Sequence, residues 1–450
     1  MSTSSSSLAR RIADACLRLS PSDLPPQSMD RLRWSALDLI GCAIGGATMA
    51  EVGPALALAR PGDVHIPGFD QGFDLASAAL VLGTAGTLFQ LHDVYLPGHI
   101  HSSSPVLPAA WAMWQRQGGP VELFFEGLLA GYEALNRLSA TTYPHQQKAG
   151  STPTATLGAI GAAVAAGRVA GLRGDALAKA VGNAAMLAPL TPFQALREHG
   201  SAVPLHSGAA ARAGVEAALL AEAGWSAGTH VLEGTGGFPG WLAVIEGDPA
   251  VLTPEQWDGR SVDHMLWKLL PACYASLPAV EAALRLPRVA VADIESVEIL
   301  MPAGPMILVS EGPRPEGDEL YDRLMSVRWS VAQVLVNGRY GIDAALGATA
   351  MSGDIHDLLR RITVRHQPAL DAALPEQVAA TIRLRKKDGS VQEVTHLRSP
   401  VVEPADGLPR AWISQPHAGL LLEKFAALTA HRASEAQAIQ RLLLGQQVGA

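Results

Sequence analysis

The sequence predicts a mainly α protein: a large all-α helical domain together with a smaller α+β domain. Three observations carry this reading. Apolar residues in the first half recur at helical spacing, as Leu32, Ala36, Leu39 and Ala43 do at i, i+4, i+7 and i+11. The chain is 48% hydrophobic but only 5% aromatic, with 44 glycines, so its core must be built from Ala, Leu, Val and Gly, which favours closely packed helices. Beyond Leu270 the hydrophobic period changes to 2 in several stretches. At 450 residues the chain also exceeds the size, about 250 to 300 residues, at which a single core stops growing.

In chain order, the turn Pro21-Ser22-Asp23-Leu24-Pro25-Pro26 precedes Ser28, a candidate N-cap for a helix ending near Gly45-Gly46. Further helices are predicted over 76–91, 105–115, 120–140, 154–170, 174–187 and 208–223. Gly158, Gly161, Ala162, Ala165 and Ala166 leave the 154–170 helix almost without side-chain bulk. Such a helix is stable only with neighbours packed on its backbone, hence at a domain centre. In the second half, 294–302 alternates, and 361–366 is short and β-branched. Segments 378–384 and 391–397 flank Lys386-Lys387-Asp388-Gly389-Ser390, a hairpin signal with Asp-Gly at the turn. The segment 324–336 reads as a helix between strands. From Gly419 a helical run resumes, so the C-terminus is expected to return to the first domain.

A net charge of −8 without a Lys/Arg cluster argues against nucleic-acid and anionic-membrane partners. The segment Met1-Ser2-Thr3-Ser4-Ser5-Ser6-Ser7-Leu8 lacks the apolar core of a secretory signal, and the apolar run 155–167 is too short to span a bilayer. Cys16, Cys42 and Cys273 are widely separated, with no CxxC pair. A cytoplasmic setting is expected. The glycine-rich stretch 234–240 has Pro239 in the sixth place of a GxGxxG frame, and neither a GxxxxGK[ST] loop nor a GxSxG elbow occurs. Nucleotide-dependent and serine-hydrolase chemistries are not predicted.

Candidate chemistry concentrates in Leu91-His92-Asp93-Val94-Tyr95-Leu96-Pro97-Gly98-His99-Ile100-His101-Ser102-Ser103-Ser104-Pro105, which gathers three of the 14 histidines within ten residues. One His and one Asp suffice for acid/base work, with serines and backbone N–H groups holding an anion. The alternatives are a metal site, for which the spacing lacks HExxH geometry, and ordinary solvent-facing histidines. A second polar segment carries Arg197, His199 and His206 into a helix N-terminus, where anions are favoured; the plain alternative is a solvated loop capped by Ser207. Lys268 lies at the expected domain boundary, where ligand clefts are common, although a lone Lys beside Trp267 is ordinarily a snorkelling surface residue. Nothing nearby in sequence activates Cys273, which reads as a buried structural thiol.

Six collinear stretches resemble the MmgE/PrpD family: Arg33-Trp34-Ser35-Ala36-Leu37-Asp38-Leu39-Ile40-Gly41-Cys42, His101-Ser102-Ser103-Ser104-Pro105, Gly131-Tyr132-Glu133, Thr152-Pro153-Thr154-Ala155-Thr156, Leu205-His206-Ser207-Gly208 and Lys268-Leu269-Leu270-Pro271-Ala272-Cys273. The resemblance implies an all-α domain of 1–270 and 402–450, an α+β lid of 271–401 and a homodimer. It implies chemistry on a small carboxylic or polycarboxylic acid with no metal, nucleotide or other cofactor. The family's activities, 2-methylcitrate dehydratase, cis-aconitate decarboxylase and iminodisuccinate epimerase, all make or quench a carbanion beside a carboxylate.

Carried over residue by residue, the resemblance assigns acid/base and charge-holding roles to His101, Asp93, Lys268 and His206. The substrate-binding candidates are Tyr95, His99, Ser102, Thr152, Arg197 and His199. The family's acidic motif, roughly D-F-D/N-D-T, becomes Leu91-His92-Asp93-Val94-Tyr95, keeping only Asp93. Thr152 stands where the family has a histidine and Val203 where it has a lysine, with His92, His99, Lys148, Arg197 and His199 as neighbouring replacements. The expectation is a divergent lyase with His101 as base or acid, Asp93 orienting a partner and Lys268 holding a carboxylate. An epimerase or isomerase of a dicarboxylate, and a ligand-binding relative with altered catalysis, are the alternatives.

Overall fold

The computed structural model describes residues 6–228, 230–233, 252–310, 319–346, 352–374, 377–398, 412–413 and 418–444. The glycine-rich stretch 234–240 and the expected boundary at 401–402 lie outside the described residues. The chain is mainly α, with a smaller α+β portion. Among the described residues no single helix is long and apolar enough to cross a membrane.

At the centre of the helical part lies Pro153–Val169, packed by Ser103–Gln117, Val121–Thr142, Asp175–Leu187 and Leu205–Glu222. Its scarcity of bulk lets these neighbours approach to backbone distance. A Cβ at Gly214 on the Leu205–Glu222 helix would lie 2.4 Å from the Ala162 Cβ and 2.6 Å from the Ala163 nitrogen, so only glycine fits there. The C-terminal helices Ala418–Thr429 and Ala433–Leu444 lie against Pro26–Gly46, and Leu421, Phe425 and Ile439 share one core with Leu32 and Leu39.

Several boundaries differ from the sequence expectation for identifiable reasons. The first long helix starts at Pro26, because proline's fixed φ suits the first helical turn; Ser28 is buried inside it and does not cap. The helix expected over 76–91 is Leu75–Ala85, capped by Asp74, which accepts from the Ser77 N–H at 2.7 Å. Its apolar continuation to Leu91 is buried as irregular chain, which periodicity does not distinguish from helix. The single helix expected over 324–336 is two, Leu320–Met325 and Val327–Asn337, because Ser326 turns extended and accepts from the Trp329 N–H at 3.3 Å.

The α+β part holds a four-stranded sheet ordered Ile362–His366, Ile294–Met301, Val378–Lys386 and Val391–Arg398; the first pair is parallel and the others antiparallel. In register, Ile299 faces Val364 on one side and Ile382 on the other. Leu277–Leu284 and Val327–Asn337 cover the sheet, and Val297, Ile299, Ala380 and Ile382 join them in a second core. A separate small sheet joins Val94–Tyr95, Met265–Lys268 and Trp412–Ile413, pairing Val94 with Leu266 and Lys268 with Trp412. It draws the histidine-rich loop and Lys268 together although more than 160 residues separate them in the chain.

Replacing Gly214 by Val is expected to destabilise the protein by about 3 kcal/mol, the upper range for overpacking a tight core. Urea unfolding followed by circular dichroism would read this as a lower midpoint at unchanged slope; an unaltered midpoint would mean the two helices can move apart freely.

Candidate active site between the two parts of the chain

The histidine-rich segment is a folded-back loop. The Tyr95 N–H donates to the Ile100 carbonyl at 2.9 Å and the Ile100 N–H returns to Tyr95 at 3.3 Å. The serines that follow are structural ties, against the expectation that they hold an anion. Buried Ser102 donates to Asn136 Oδ1, the Ser103 N–H and hydroxyl both reach the Asp93 carboxylate, and Ser104 donates to Ser207 Oγ at 3.0 Å. Ser207 accordingly does not cap its helix, which begins two residues earlier at Leu205.

Asp93 itself points inward. Burial pushes its carboxyl up to about 7, although the Ser103 hydrogen bonds favour the ion. What it offers the site is its backbone carbonyl, which lies 2.6 Å from His101 Nδ1. A carbonyl only accepts, so the His101 proton sits on Nδ1 and Nε2 keeps its lone pair. Burial, with the nearby charge of Lys268, pushes the His101 imidazole down to about 3, so it is neutral near pH 7. The His92 ring lies 4.2 Å from the His101 ring, and its Nδ1 is buried without a protein partner. Burial holds His92 neutral as well, and it lowers His206, whose Nδ1 is also unpartnered, to about 4.

His92, His101 and His206 line one cavity of about 450 Å³ between the helical and α+β parts, together with His99, Thr152, Lys148 and Arg197. That volume falls within the range of ligand-enclosing pockets, roughly 300 to 1,000 Å³. No Asp or Glu is among its described lining residues. The Thr152 hydroxyl is buried without a partner at the start of Pro153–Val169, while Lys148 and Arg197 are exposed at the rim. His99 stacks on Tyr143 with ring centroids 3.9 Å apart, and its Nδ1 lies 2.9 Å from the Tyr274 hydroxyl of the α+β part. Cys273 also lines the cavity, where burial raises its thiol, so it is no thiolate near neutrality.

The remaining candidates lie behind the wall. Tyr95 is 3% exposed in its strand pairing, and Ser102 is fully buried on Asn136. His199 touches no cavity surface: Nε2 donates to the Leu308 carbonyl at 3.0 Å and Nδ1 faces Asp322 at 2.9 Å, tying the helical part to the α+β part. Lys268 is not a snorkelling surface lysine. It is fully buried, burial lowers its ammonium to about 8, and it donates to the Ala272 carbonyl at 3.4 Å. Its charge reaches the cavity through the field it exerts on His92 and His101. Among the described residues, no three His, Cys, Asp or Glu side chains are gathered to hold a metal ion.

Residues 10–249 match the MmgE/PrpD N-terminal domain and residues 270–446 match the MmgE/PrpD C-terminal domain. The chain belongs to the MmgE/PrpD family. Over 248 residues, 53% of this chain and 50% of the relative, it is 28% identical to a protein named cis-aconitate decarboxylase in Aspergillus terreus. Over 301 residues, 62% of each, it is 24% identical to the cis-aconitate decarboxylase-like protein oryM of Aspergillus oryzae. The match thus spans between half and two thirds of these curated relatives.

In this family member the sequence reading missed one group, Lys424 in the C-terminal helix. Its buried ammonium reaches Asp38 Oδ1 at 2.5 Å and the carbonyls of Leu91 and Lys268 at 2.7 and 3.0 Å. Asp38 stood within a quoted motif, but a lysine 386 positions away in the chain carries no local signal of pairing with it. Arg31 completes the support, donating to the carbonyls of Val262 and Met265 and stacking over Trp267 at 4.8 Å.

Lys424→Met should lower stability by about 3–5 kcal/mol, because it leaves the buried Asp38 unpaired. The double variant Asp38→Leu/Lys424→Met should recover most of the loss. Urea midpoints for the four proteins of the cycle test this, and a single variant as stable as the parent would refute it.

Proposed function

We propose that this protein is a lyase of the dehydratase or decarboxylase type, acting next to a carboxylate of a small carboxylic acid. The carrying observation is the neutral His101 imidazole, fixed by its Nδ1–H on the Asp93 carbonyl, facing a cavity with no carboxylate among its described lining residues. Such a wall repels no anion, and the buried Lys268 ammonium adds attraction. Family membership and the similarity to the two cis-aconitate decarboxylase-type relatives support the lyase class.

In this reading His101 Nε2 removes the proton from the carbon beside the carboxylate. The electron pair moves into that carboxylate as an enediolate, stabilised by the Lys268 field and an N–H of His206. In a dehydration the hydroxyl on the next carbon then leaves with a proton as water, and a double bond forms. In a decarboxylation the carbon–carbon bond to a carboxyl breaks in place of the carbon–hydrogen bond: CO₂ leaves, and the resulting carbanion takes its proton from an imidazolium that drew that proton from solvent when the anion bound. The lowered His101 pKa does not oppose this, because a bound anion stabilises imidazolium and raises it.

His101→Ala should slow deuterium exchange at the carbon beside the carboxylate by about 10² to 10⁴, the usual weight of a general base, at an unchanged urea midpoint. Proton NMR in deuterated water, over hydroxy-, unsaturated and amino-carboxylates, reads it directly. Unchanged exchange would remove His101 from the role. Exchange without elimination or CO₂ loss would favour the epimerase reading, which the neutral imidazoles of His101 and His206, both lining the cavity, also suit.

The pH profile follows from Lys268. Its ammonium is charged below about 8 and neutral above, so kcat/KM should hold below that value and fall as pH rises through it. Lys268→Met should give a lower, flat profile there; a limb persisting near 8 would belong to another group.

A further inference from the structure

The cavity is chemically two-sided. The helical part supplies its ionisable groups, with His92, His101 and His206 deep in the wall and Lys148 and Arg197 at the rim. The α+β part supplies described residues 273–374 of the wall, and none of these bears a basic or acidic side chain. Its surface is mostly apolar, formed by Pro305, Ile307, Leu308, Met325 and Leu374; its polar groups are the neutral Cys273 thiol, the Tyr321 hydroxyl and the Tyr274 hydroxyl, which faces His99. Leu308 and Met325 belong to or pack on the second core, so this wall is that core reaching the cavity surface. Ile307 lines the cavity and is 41% exposed, so apolar surface there is open to a ligand.

A compact polyanion is poorly matched to such a wall. A carboxylate set against this wall would lose water without gaining a cation from its described residues, which is costly. An apolar substituent there would instead cover the exposed Ile307 and gain from burial. Deepening the acid-site reading above, on which this rests, we infer that the substrate is an amphipathic acid: a carboxylate held at the histidine side and an alkyl or aryl arm lying on the α+β wall around Ile307.

The test is a homologous series of 3-hydroxy acids of four, six and eight carbons, with citrate and cis-aconitate as polyanionic comparators, titrated calorimetrically into the full chain. Affinity should rise about threefold to fourfold per added methylene, and the eight-carbon acid should bind at least tenfold tighter than either polyanion. Ile307→Asn, a neutral polar change at an exposed position outside both cores, should flatten the series. A flat series in the parent protein, or citrate or cis-aconitate binding more tightly than the eight-carbon acid, would overturn the inference. Deuterium exchange on the same acids keeps the two readings apart. Tight polyanion binding with exchange refutes the apolar arm alone. Affinity that rises with length but no exchange on any acid upholds the arm and refutes the carbanion chemistry.

Discussion

The buried ammonium of Lys424 is the constraint on which the site's arrangement depends. It brings together four stretches distant in sequence: the Pro26–Gly46 helix through Asp38, the histidine-rich loop through the Leu91 carbonyl, the Met265–Lys268 strand through the Lys268 carbonyl, and its own C-terminal helix. Removing a charge from water is expensive, and the cost is offset only where Coulombic attraction and hydrogen bonds converge. The carboxylate and the two carbonyls meet that demand in one geometry. Burial opposes the Lys424 charge, yet Asp38 and the further groups around it together outweigh burial and raise the ammonium above its usual value.

That charge also explains the state of its neighbour. Lys268, buried and facing a second ammonium, sits nearer to losing its proton than a surface lysine would. Both ammonium groups, together with burial, disfavour protonation of His92. The cavity is therefore lined by neutral imidazoles, with the Lys268 ammonium buried behind them. Such an arrangement attracts an anion without first neutralising the base that is to act on it.

Backbone strain follows the same region. Gln90, His99 and His199, with φ of +53°, +48° and +50°, are the only positive-φ residues other than glycine among the described residues. Gln90 and His99 line the cavity, and His199 ties its two sides. A left-handed conformation costs a side-chain-bearing residue of order 1–3 kcal/mol and persists where surrounding contacts over-determine it. At His99 these are the stacked Tyr143 ring and the Tyr274 hydroxyl; at His199, Asp322 and the Leu308 carbonyl. Concentration of strain at the cavity fits a site built for positioning.

What was legible in the sequence follows from local physics. Helical periodicity marked the Pro26–Gly46 helix, small residues marked Pro153–Val169 as central, and Asp388-Gly389 marked the hairpin, because backbone geometry and nearest-neighbour packing write directly into residue order. The histidine-rich loop stood out because titratable groups on a bent segment serve no packing purpose. Sequence did not reveal that the serines beside it are structural, that Lys268 is buried, or that Lys424 joins Asp38. Nor did it divide the cavity wall into an ionisable side and an apolar side. Burial, ion pairing and the shape of a pocket depend on which distant segments meet in space, and only the tertiary structure decided that.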